Sequence, residues 1–136
     1  MPHALPNDDA RSLLAAARAA MSHSHAVWSK FPVGAALRCA DGTIFTGCNV
    51  ESPSLLQGAC AERVALLKAL SEGQRAFTHI AIVAEKRTAV SPCGLCRQML
   101  FEFAPDLIVI VENENGEPLQ KALSAFLPEP FVAPQE

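Results

Sequence analysis

The chain has 136 residues and a formal net charge of −3, with half of its residues hydrophobic and 18% charged. This length and composition predict a single folded domain over residues 1–136 and exclude a chain that is disordered throughout. The acidic balance argues against a nucleic-acid partner, because such partners select surfaces rich in Lys and Arg. The apolar runs all fall short of the roughly 18–20 residues that span a bilayer, so we expect no membrane segment.

Hydrophobic periodicity and turn residues predict alternating strands and helices. In chain order, the predicted elements are a helix over 10–21, strands over 33–39 and 43–48, a helix over 60–71, a strand over 79–84, a helix over 94–103, a strand over 107–111 and a mixed strand and helix segment over 119–126. Asp8 and Asp9 precede the first helix as candidate caps, and Asp41-Gly42 is typical of a hairpin turn. This order indicates a mixed sheet covered by helices, a three-layer α/β/α arrangement.

The chain carries five cysteines, an odd number. Its N-terminus has neither a charged start nor a long apolar run, which predicts that it is not a secretory signal. We therefore expect a cytoplasmic protein with reduced thiols. In that setting a Cys-x-x-Cys pair marks metal or redox chemistry more often than a structural disulfide.

Two short segments carry the most specific chemistry of the sequence. Ala-Cys-Ala-Glu-Arg occupies 59–63, and Ser-Pro-Cys-Gly-Leu-Cys-Arg occupies 91–97. Cys60, Cys93 and Cys96 offer three thiolates to Zn²⁺, and a catalytic zinc site keeps its remaining position open for water. Glu62 is then placed to face that water and to carry its proton. Both segments lie at predicted helix starts, where free N–H groups and the positive dipole end favour thiolates.

Neighbouring residues and alternative interpretations also bear on the two cysteine segments. Arg63 directly follows Glu62 and could donate a hydrogen bond to a ligand sulfur, with Arg97 as the other candidate. A Cys-x-x-Cys pair alone would also fit a thioredoxin-like redox site or half of a structural zinc ribbon. A structural site needs a second such pair or two histidines, and the four histidines of the sequence do not stand at ligand spacing. The combination of Cys-x-Glu with Pro-Cys-x-x-Cys matches the zinc-deaminase signature, with Cys replacing His.

The sequence resembles the cytidine deaminase family in its short, homotetrameric, zinc-dependent form. The similar segments span residues 28–131 and include the two cysteine segments, Phe-Pro-Val-Gly-Ala-Ala-Leu at 31–37, Thr-Gly-Cys-Asn-Val-Glu at 46–51 and Leu-Pro-x-x-Phe at 127–131. The resemblance implies a mixed five-stranded sheet and one Zn²⁺ per subunit. It also implies hydrolytic deamination of cytidine and deoxycytidine to uridine and deoxyuridine plus ammonia, as a step of pyrimidine salvage.

The same resemblance implies which residues contact the substrate. These positions are Phe31, Asn49, Glu51, Ala59, Ser91 and Phe131. In the family, the residues matching Asn49 and Glu51 bind the ribose 3′-hydroxyl, which suits an amide donor and an ionised acceptor. The residue matching Phe31 packs against the pyrimidine ring, and the one matching Phe131 reaches into a neighbouring subunit's site. The backbone carbonyl of Ser91 is the expected acceptor for the exocyclic amine.

The loop over 52–58 departs from the family pattern. Ser52 stands where the family usually has Asn, Leu55 stands where it usually has an aromatic residue, and Trp28 replaces a Tyr nearby. Because this loop borders the sugar and the base, a deaminase of another aminopyrimidine nucleoside, such as blasticidin S, stays open as an alternative. Two further alternatives are a non-catalytic zinc-stabilised binding module and a polynucleotide-editing deaminase. Glu62 argues against the first, and the acidic balance argues against the second.

Overall fold

Five strands form one sheet in the computed structural model, which describes residues 2–134. The elements are α1 (Asn7–Met21), β1 (Val33–Cys39), β2 (Ile44–Cys48), α2 (Ala61–Ser71), β3 (Phe77–Ala84), α3 (Gly94–Phe103), β4 (Ile108–Glu112), β5 (Pro118–Ala122) and a 3₁₀ turn at Leu123–Ala125. The single-domain prediction over 1–136 includes residues 1 and 135–136, which lie outside the described residues. It stays a prediction.

The strand order is β2-β1-β3-β4-β5. β3 and β4 run parallel, while the other neighbouring pairs are antiparallel. The predicted mixed five-stranded sheet is therefore confirmed. Val33 pairs with Ala84, and Gly34 pairs with Cys48. Consequently the start of β1 and the ends of β2 and β3 meet at one end of the sheet, and the cysteine segments follow β2 and β3 from that end.

Helices cover both faces of the sheet. α1 belongs to a cluster in which Ala10, Leu14 and Ala17 pack with Ala36 and Val83 on one face. α2 and α3 contribute to the larger core cluster on the other face. The helical spacing of small and apolar residues in α1 gives it one continuous buried stripe. The three-layer α/β/α prediction is confirmed.

Two glycines let helices approach the sheet closely. A Cβ atom at Gly47 would lie 2.5 Å from the carbonyl oxygen of Ala61 and 2.6 Å from the backbone nitrogen of Ala65. A side chain there would push the first turn of α2 away from β2. At Gly34 a Cβ atom would lie 2.0 Å from the carbonyl oxygen of Ala17, so α1 depends on the same close approach. Gly47 thus helps to set the position of the first cysteine segment.

Most predicted element boundaries agree with the structure to within one or two residues, and two regions differ more clearly. α1 begins at Asn7 with Pro6 in the N-cap position, so Asp8 and Asp9 lie in its first turn rather than before it. There they interact favourably with the helix dipole instead of capping its N–H groups. The predicted mixed segment over 119–126 resolves into β5 and the 3₁₀ turn. Across residues 2–134, none of the helices has the length and apolar character that crossing a bilayer requires.

Candidate active site

Three cysteine sulfurs converge where the N-termini of α2 and α3 meet. Cys60 is the N-cap residue of α2, Cys93 is the N-cap residue of α3, and Cys96 lies in the first turn of α3. Their Sγ atoms all lie within 4.8 Å of one another, and those of Cys60 and Cys93 are 3.7 Å apart. A tetrahedral zinc ion with Zn–S bonds of about 2.3 Å places its sulfurs about 3.8 Å apart. The spacing therefore fits a zinc ion.

The pKa values of the clustered cysteines indicate that a bound cation is needed for all three thiols to ionise. The pKa of Cys60 is lowered to about 6, chiefly by a hydrogen bond from the Cys96 thiol and in smaller part by the charge of Arg63. The same hydrogen bond, together with burial, raises the pKa of Cys96. Adjacent thiolates repel one another, so a bound cation is what allows all three to ionise. Soft thiolate donors in a tetrahedral arrangement suit zinc.

Glu62 lies in the first turn of α2, and only 4% of it is exposed. Burial raises the pKa of its carboxyl to about 7, and the negative charge of Cys60 adds to the shift. No ion-pair partner accompanies it among residues 2–134. Its carboxyl can therefore both hold and release a proton near neutral pH.

The two arginines beside the cysteines have different surroundings. Arg63 lines a cavity next to the cluster, and its charge lowers the pKa of Cys60. Arg97 instead donates to the carbonyl oxygen of Pro92 at 2.7 Å and to two other oxygen atoms. The expected arginine-to-sulfur hydrogen bond is formed by neither residue within the described part of the chain. For Arg97 the reason is that oxygen acceptors already engage its guanidinium.

Two adjoining cavities border the cluster and share Ser29, Asn49 and Cys60. The outer cavity has a volume of about 490 Å³, and the inner one has a volume of about 250 Å³. The predicted site residues on the outer cavity are Asn49, Glu51, Ala59, Cys60 and Arg63, and those on the inner cavity are Phe31, Asn49, Cys60, Glu62, Ser91 and Cys93. The fold thus brings the predicted residues together, except that Cys96 lies buried behind the cavities and Phe131 lies elsewhere.

Asn49 follows β2 and borders both cavities. Its Oδ1 accepts a hydrogen bond from the Val33 N–H, and its Nδ2 donates to the Phe31 carbonyl oxygen, each at 2.9 Å. The Ser24 hydroxyl donates to the same Oδ1. The amide therefore fixes the start of β1 and the backbone of Phe31. An amide nitrogen carries two hydrogens, so a second one is available to a ligand.

Glu51 holds the segment that precedes Phe31. Its carboxylate accepts from the backbone N–H groups of Trp28 and Ser29, each at 2.9 Å, and from the Ser29 hydroxyl. Hydrogen bonds from Ser29, with a smaller contribution from Trp28, lower the pKa of Glu51 and keep it ionised at neutral pH. Sequence reasoning missed Ser29 as a site residue. A serine in a polar stretch does not stand out by residue type. The signal that the sequence offers for Ser29 is its position two residues before Phe31.

Phe131 lies apart from the cavities of its own chain, and 66% of it is exposed. Gln98 in α3 holds its backbone from both sides. The Gln98 Nε2 donates to the Phe131 carbonyl oxygen at 2.9 Å, and the Phe131 N–H donates to the Gln98 Oε1 at 3.3 Å. An exposed ring is thus carried on a tethered stretch of backbone.

Known proteins with similar sequences and structures agree on one family. Residues 7–112 match the family model described as the cytidine and deoxycytidylate deaminase zinc-binding region. The chain belongs to the cytidine and deoxycytidylate deaminase family. It is 41% identical to cytidine deaminase from Sporosarcina psychrophila, over 90% of this chain and 91% of that protein. The crystal structure of cytidine deaminase from Burkholderia pseudomallei matches with a TM-score of 0.83 and 42% identity, over 88% of this chain and 97% of that one.

A deaminase named for a different substrate is also similar. Blasticidin-S deaminase from Bacillus cereus is 32% identical, over 74% of this chain and 76% of that protein. Membership of the deaminase family confirms the resemblance, the enzyme class and the α/β fold predicted from the sequence. Zinc as the cofactor is likewise confirmed, because the family model describes a zinc-binding region and the three sulfurs form one cluster.

Proposed function

We propose that this deaminase hydrolyses cytidine and deoxycytidine to uridine and deoxyuridine with release of ammonia. One observation supports this most strongly. The buried carboxyl of Glu62 stands beside three sulfurs that fit a zinc ion, and it lines a cavity. A zinc site with a purely structural role closes its coordination with protein ligands and has no use for such a carboxyl.

The sulfurs and the carboxyl divide the chemistry between them. Cys60, Cys93 and Cys96 hold the metal, which when bound supplies an activated water for attack on C4 of the pyrimidine. Glu62 accepts a proton from the attacking water and delivers it to N3 of the ring, which makes C4 electrophilic. It then carries the hydroxyl proton to the leaving amine, so that ammonia departs. Arg63 offsets part of the negative charge of the sulfurs.

The two cavities are assigned to the two halves of the nucleoside. In the inner cavity, Phe31 packs against the base and the Ser91 carbonyl accepts the exocyclic amine. In the outer cavity, Asn49 donates to the ribose hydroxyl and ionised Glu51 accepts from it, while Ala59 borders the sugar. The shared wall between the cavities allows one ligand to occupy both.

We assign the active form to a homotetramer in which Phe131 enters the site of a neighbouring subunit. Its exposed ring on a tethered backbone supports this role. Leu56 and Leu95 add exposed apolar surface, at 89% and 61%, and such surface favours association. Sedimentation velocity should give the mass of four chains. A monomer that retains full activity would contradict the assignment.

The proposed setting is the cytoplasm, where the reaction would serve pyrimidine salvage. All five cysteines are free in the structure. A reducing compartment preserves thiols in this state, and the three clustered ones must stay reduced to hold a metal.

Deamination of blasticidin S is the second candidate. It is favoured by the similarity to blasticidin-S deaminase and by the loop over 52–57, which differs from the family pattern. Leu55 of this loop lines the outer cavity with a φ of 66°, a left-handed conformation that is uncommon outside glycine. The sugar side of the site is therefore the region in which a change of substrate would arise.

Initial rates on cytidine, deoxycytidine, blasticidin S, free cytosine and a cytosine-containing oligonucleotide separate the candidates. We expect the highest kcat/KM for the two nucleosides, with uridine or deoxyuridine and ammonia formed in equal amounts. A higher kcat/KM for blasticidin S would transfer the assignment to the second candidate. Zinc-loaded protein that releases ammonia from none of these compounds would leave the non-catalytic binding module as the better description.

A further inference from the structure

Arg97, directly after the ligand Cys96, is bonded to oxygen atoms on three other residues. Its Nε donates to the Pro92 carbonyl oxygen at 2.7 Å, its Nη1 to the Phe126 carbonyl oxygen at 2.9 Å, and its Nη2 to the Ser91 Oγ at 3.1 Å. We call Arg97 with these three partners the Arg97 clamp. The planar guanidinium holds its N–H donors in fixed directions and can therefore orient its partners, whereas the flexible ammonium group of a lysine cannot.

One end of the Arg97 clamp is anchored in the core. Phe126 packs against the larger core cluster, and its ring centroid lies 5.7 Å from the Arg97 guanidinium carbon. The Phe126 N–H donates to the Leu123 carbonyl oxygen at 2.9 Å, and the Leu123 N–H donates to the Leu107 carbonyl oxygen at 2.8 Å. Leu123 and Leu107 are fully buried or nearly so. The guanidinium therefore has a fixed reference point on the side away from the cavity.

The other end of the clamp holds a segment without regular structure. Residues 90–92 belong to no helix or strand, and Val90 and Ser91 line the inner cavity. The peptide between Ser91 and Pro92 has no N–H, because proline lacks one. Arg97 grips this peptide on both sides, through the Ser91 hydroxyl and the Pro92 carbonyl oxygen. The backbone torsions that aim the Ser91 carbonyl are thereby restrained.

We propose that Arg97 is a positioning residue that aims the Ser91 carbonyl at the exocyclic amine of the substrate. The proposal rests on the proposed function, since it concerns the contact that distinguishes an aminopyrimidine from its product. Cytidine carries an amine that donates to a carbonyl oxygen. Uridine carries an oxygen at the same place and gains nothing from a well-aimed carbonyl. Loss of the clamp should therefore weaken the recognition of cytidine and leave that of uridine unchanged.

The first test is steady-state kinetics of Arg97→Gln, with uridine as a competitive inhibitor. We expect the KM for cytidine to rise about tenfold, as the loss of an aligned hydrogen bond implies. The inhibition constant of uridine should stay within about twofold of the wild-type value, and zinc content should be unchanged. Arg97→Lys should be nearly as impaired as Arg97→Gln. Restoration by lysine would mean that positive charge near the sulfurs matters, and it would overturn the proposal.

The matched control is Arg75→Gln. Arg75 also donates to two backbone carbonyl oxygens, those of Leu70 at 2.9 Å and Gln74 at 2.8 Å, beyond the far end of α2. Its replacement should leave both the KM for cytidine and the uridine inhibition constant unchanged. A change equal to that of Arg97→Gln would show that any lost arginine clamp disturbs the enzyme, and it would contradict a specific role for Arg97.

A double-mutant cycle tests the same contact with a smaller change. Ser91→Ala removes the hydroxyl that Arg97 holds but keeps the backbone carbonyl, and the exposed position tolerates it. We expect Ser91→Ala to raise the KM for cytidine by less than Arg97→Gln does, and the double variant to be no worse than Arg97→Gln alone. Effects that multiply, or a uridine inhibition constant that rises in parallel with the KM, would overturn the proposal. Wild-type protein without cytidine turnover would instead reject the proposed function itself.

Discussion

Two ionisable side chains other than cysteine are buried in the described residues, and they lie at opposite ends of the sheet. Glu62 is 4% exposed at the end that carries the sulfurs, and His79 is 3% exposed near the start of β3. The two are buried to the same extent, but their polar atoms have different partners. That difference is why we propose a reactive role for Glu62 and a structural role for His79.

Both nitrogen atoms of the His79 ring have hydrogen-bond partners. Its Nε2 donates to the His3 carbonyl oxygen at 2.6 Å, and its Nδ1 accepts from the Thr78 hydroxyl at 2.8 Å. Burial lowers the pKa of His79, and the charge of Arg38 lowers it further. The ring stays neutral and holds the N-terminal segment against the sheet. Glu62 instead stands at a cavity beside sulfurs, with its pKa raised to about 7. Burial with complete hydrogen bonding suits the structural role of His79, whereas burial beside the three sulfurs and a cavity suits the proton transfer that we propose for Glu62.

The largest effect should come from removing one of the proposed zinc ligands, at the end of the sheet that carries the sulfurs. Cys93→Ala leaves two sulfurs, which are too few to hold zinc in competition with water and chelators. We expect zinc and deaminase activity to be lost together, as measured by elemental analysis and uridine formation. Cys48→Ala, which changes a cysteine outside the cluster, is the matched control and should keep both. A Cys93→Ala protein that retains one zinc per chain would break the assignment of the sulfurs.

Glu62→Gln should separate chemistry from metal binding. Glutamine keeps the shape of the side chain but cannot carry a proton, so turnover of cytidine should fall about a thousandfold with zinc retained. Glu72→Gln, at the other end of α2, is the control and should be neutral. Near-normal turnover in Glu62→Gln would mean that the buried carboxyl is as structural as His79.

Asn49→Ala tests a residue that makes structural hydrogen bonds and has a proposed contact with the substrate. Loss of its hydrogen bonds to Phe31 and Val33 should lower the free energy of unfolding by about 1–3 kcal/mol. The kcat/KM for cytidine should fall more than that for free cytosine, because the ribose contact is lost as well. Asn115→Ala, in the turn before β5, should change neither quantity. Equal losses on cytidine and cytosine would remove the ribose role and leave only the structural one.

The smallest effect concerns His79 and the pH dependence of stability. The folded pKa lies below the unfolded value of about 6.5, so between these two values the unfolded chain binds more protons. The free energy of unfolding should therefore fall as pH falls through about 6.5, and level off below the folded pKa. His79→Gln should remove this contribution in urea unfolding, while turnover at neutral pH is unchanged. His23→Gln, at an exposed position, should follow the wild-type curve. Identical pH curves for wild type and His79→Gln would contradict the neutral buried ring.

The sequence predicts the cysteine cluster better than the surroundings of His79, because the signals for the cluster are local. Cys93 and Cys96 share one helix start, and Glu62 lies two residues from Cys60, so spacing alone is informative. His79 gives no such signal, since its partner His3 lies 76 residues away.

The same reason explains two residues that sequence reasoning missed or misread. Ser29 reaches Glu51 across 22 residues, and Arg97 reaches Phe126 across 29. Such contacts depend on how strands and loops are brought together and not on local spacing. The sequence pattern of β5 does not distinguish a strand from a helix, for a different reason. It is an edge strand whose five residues are all partly or fully exposed, which weakens the alternation of buried and exposed residues that marks a strand.

The most direct test of zinc-dependent deamination measures zinc content and uridine formation in one purified sample during titration with a chelator. We expect one zinc per chain, with the rate of cytidine deamination falling in proportion to the zinc removed and returning when zinc is restored. Deamination that continues in zinc-free protein, or a fully zinc-loaded protein inert toward every aminopyrimidine tested, would contradict it.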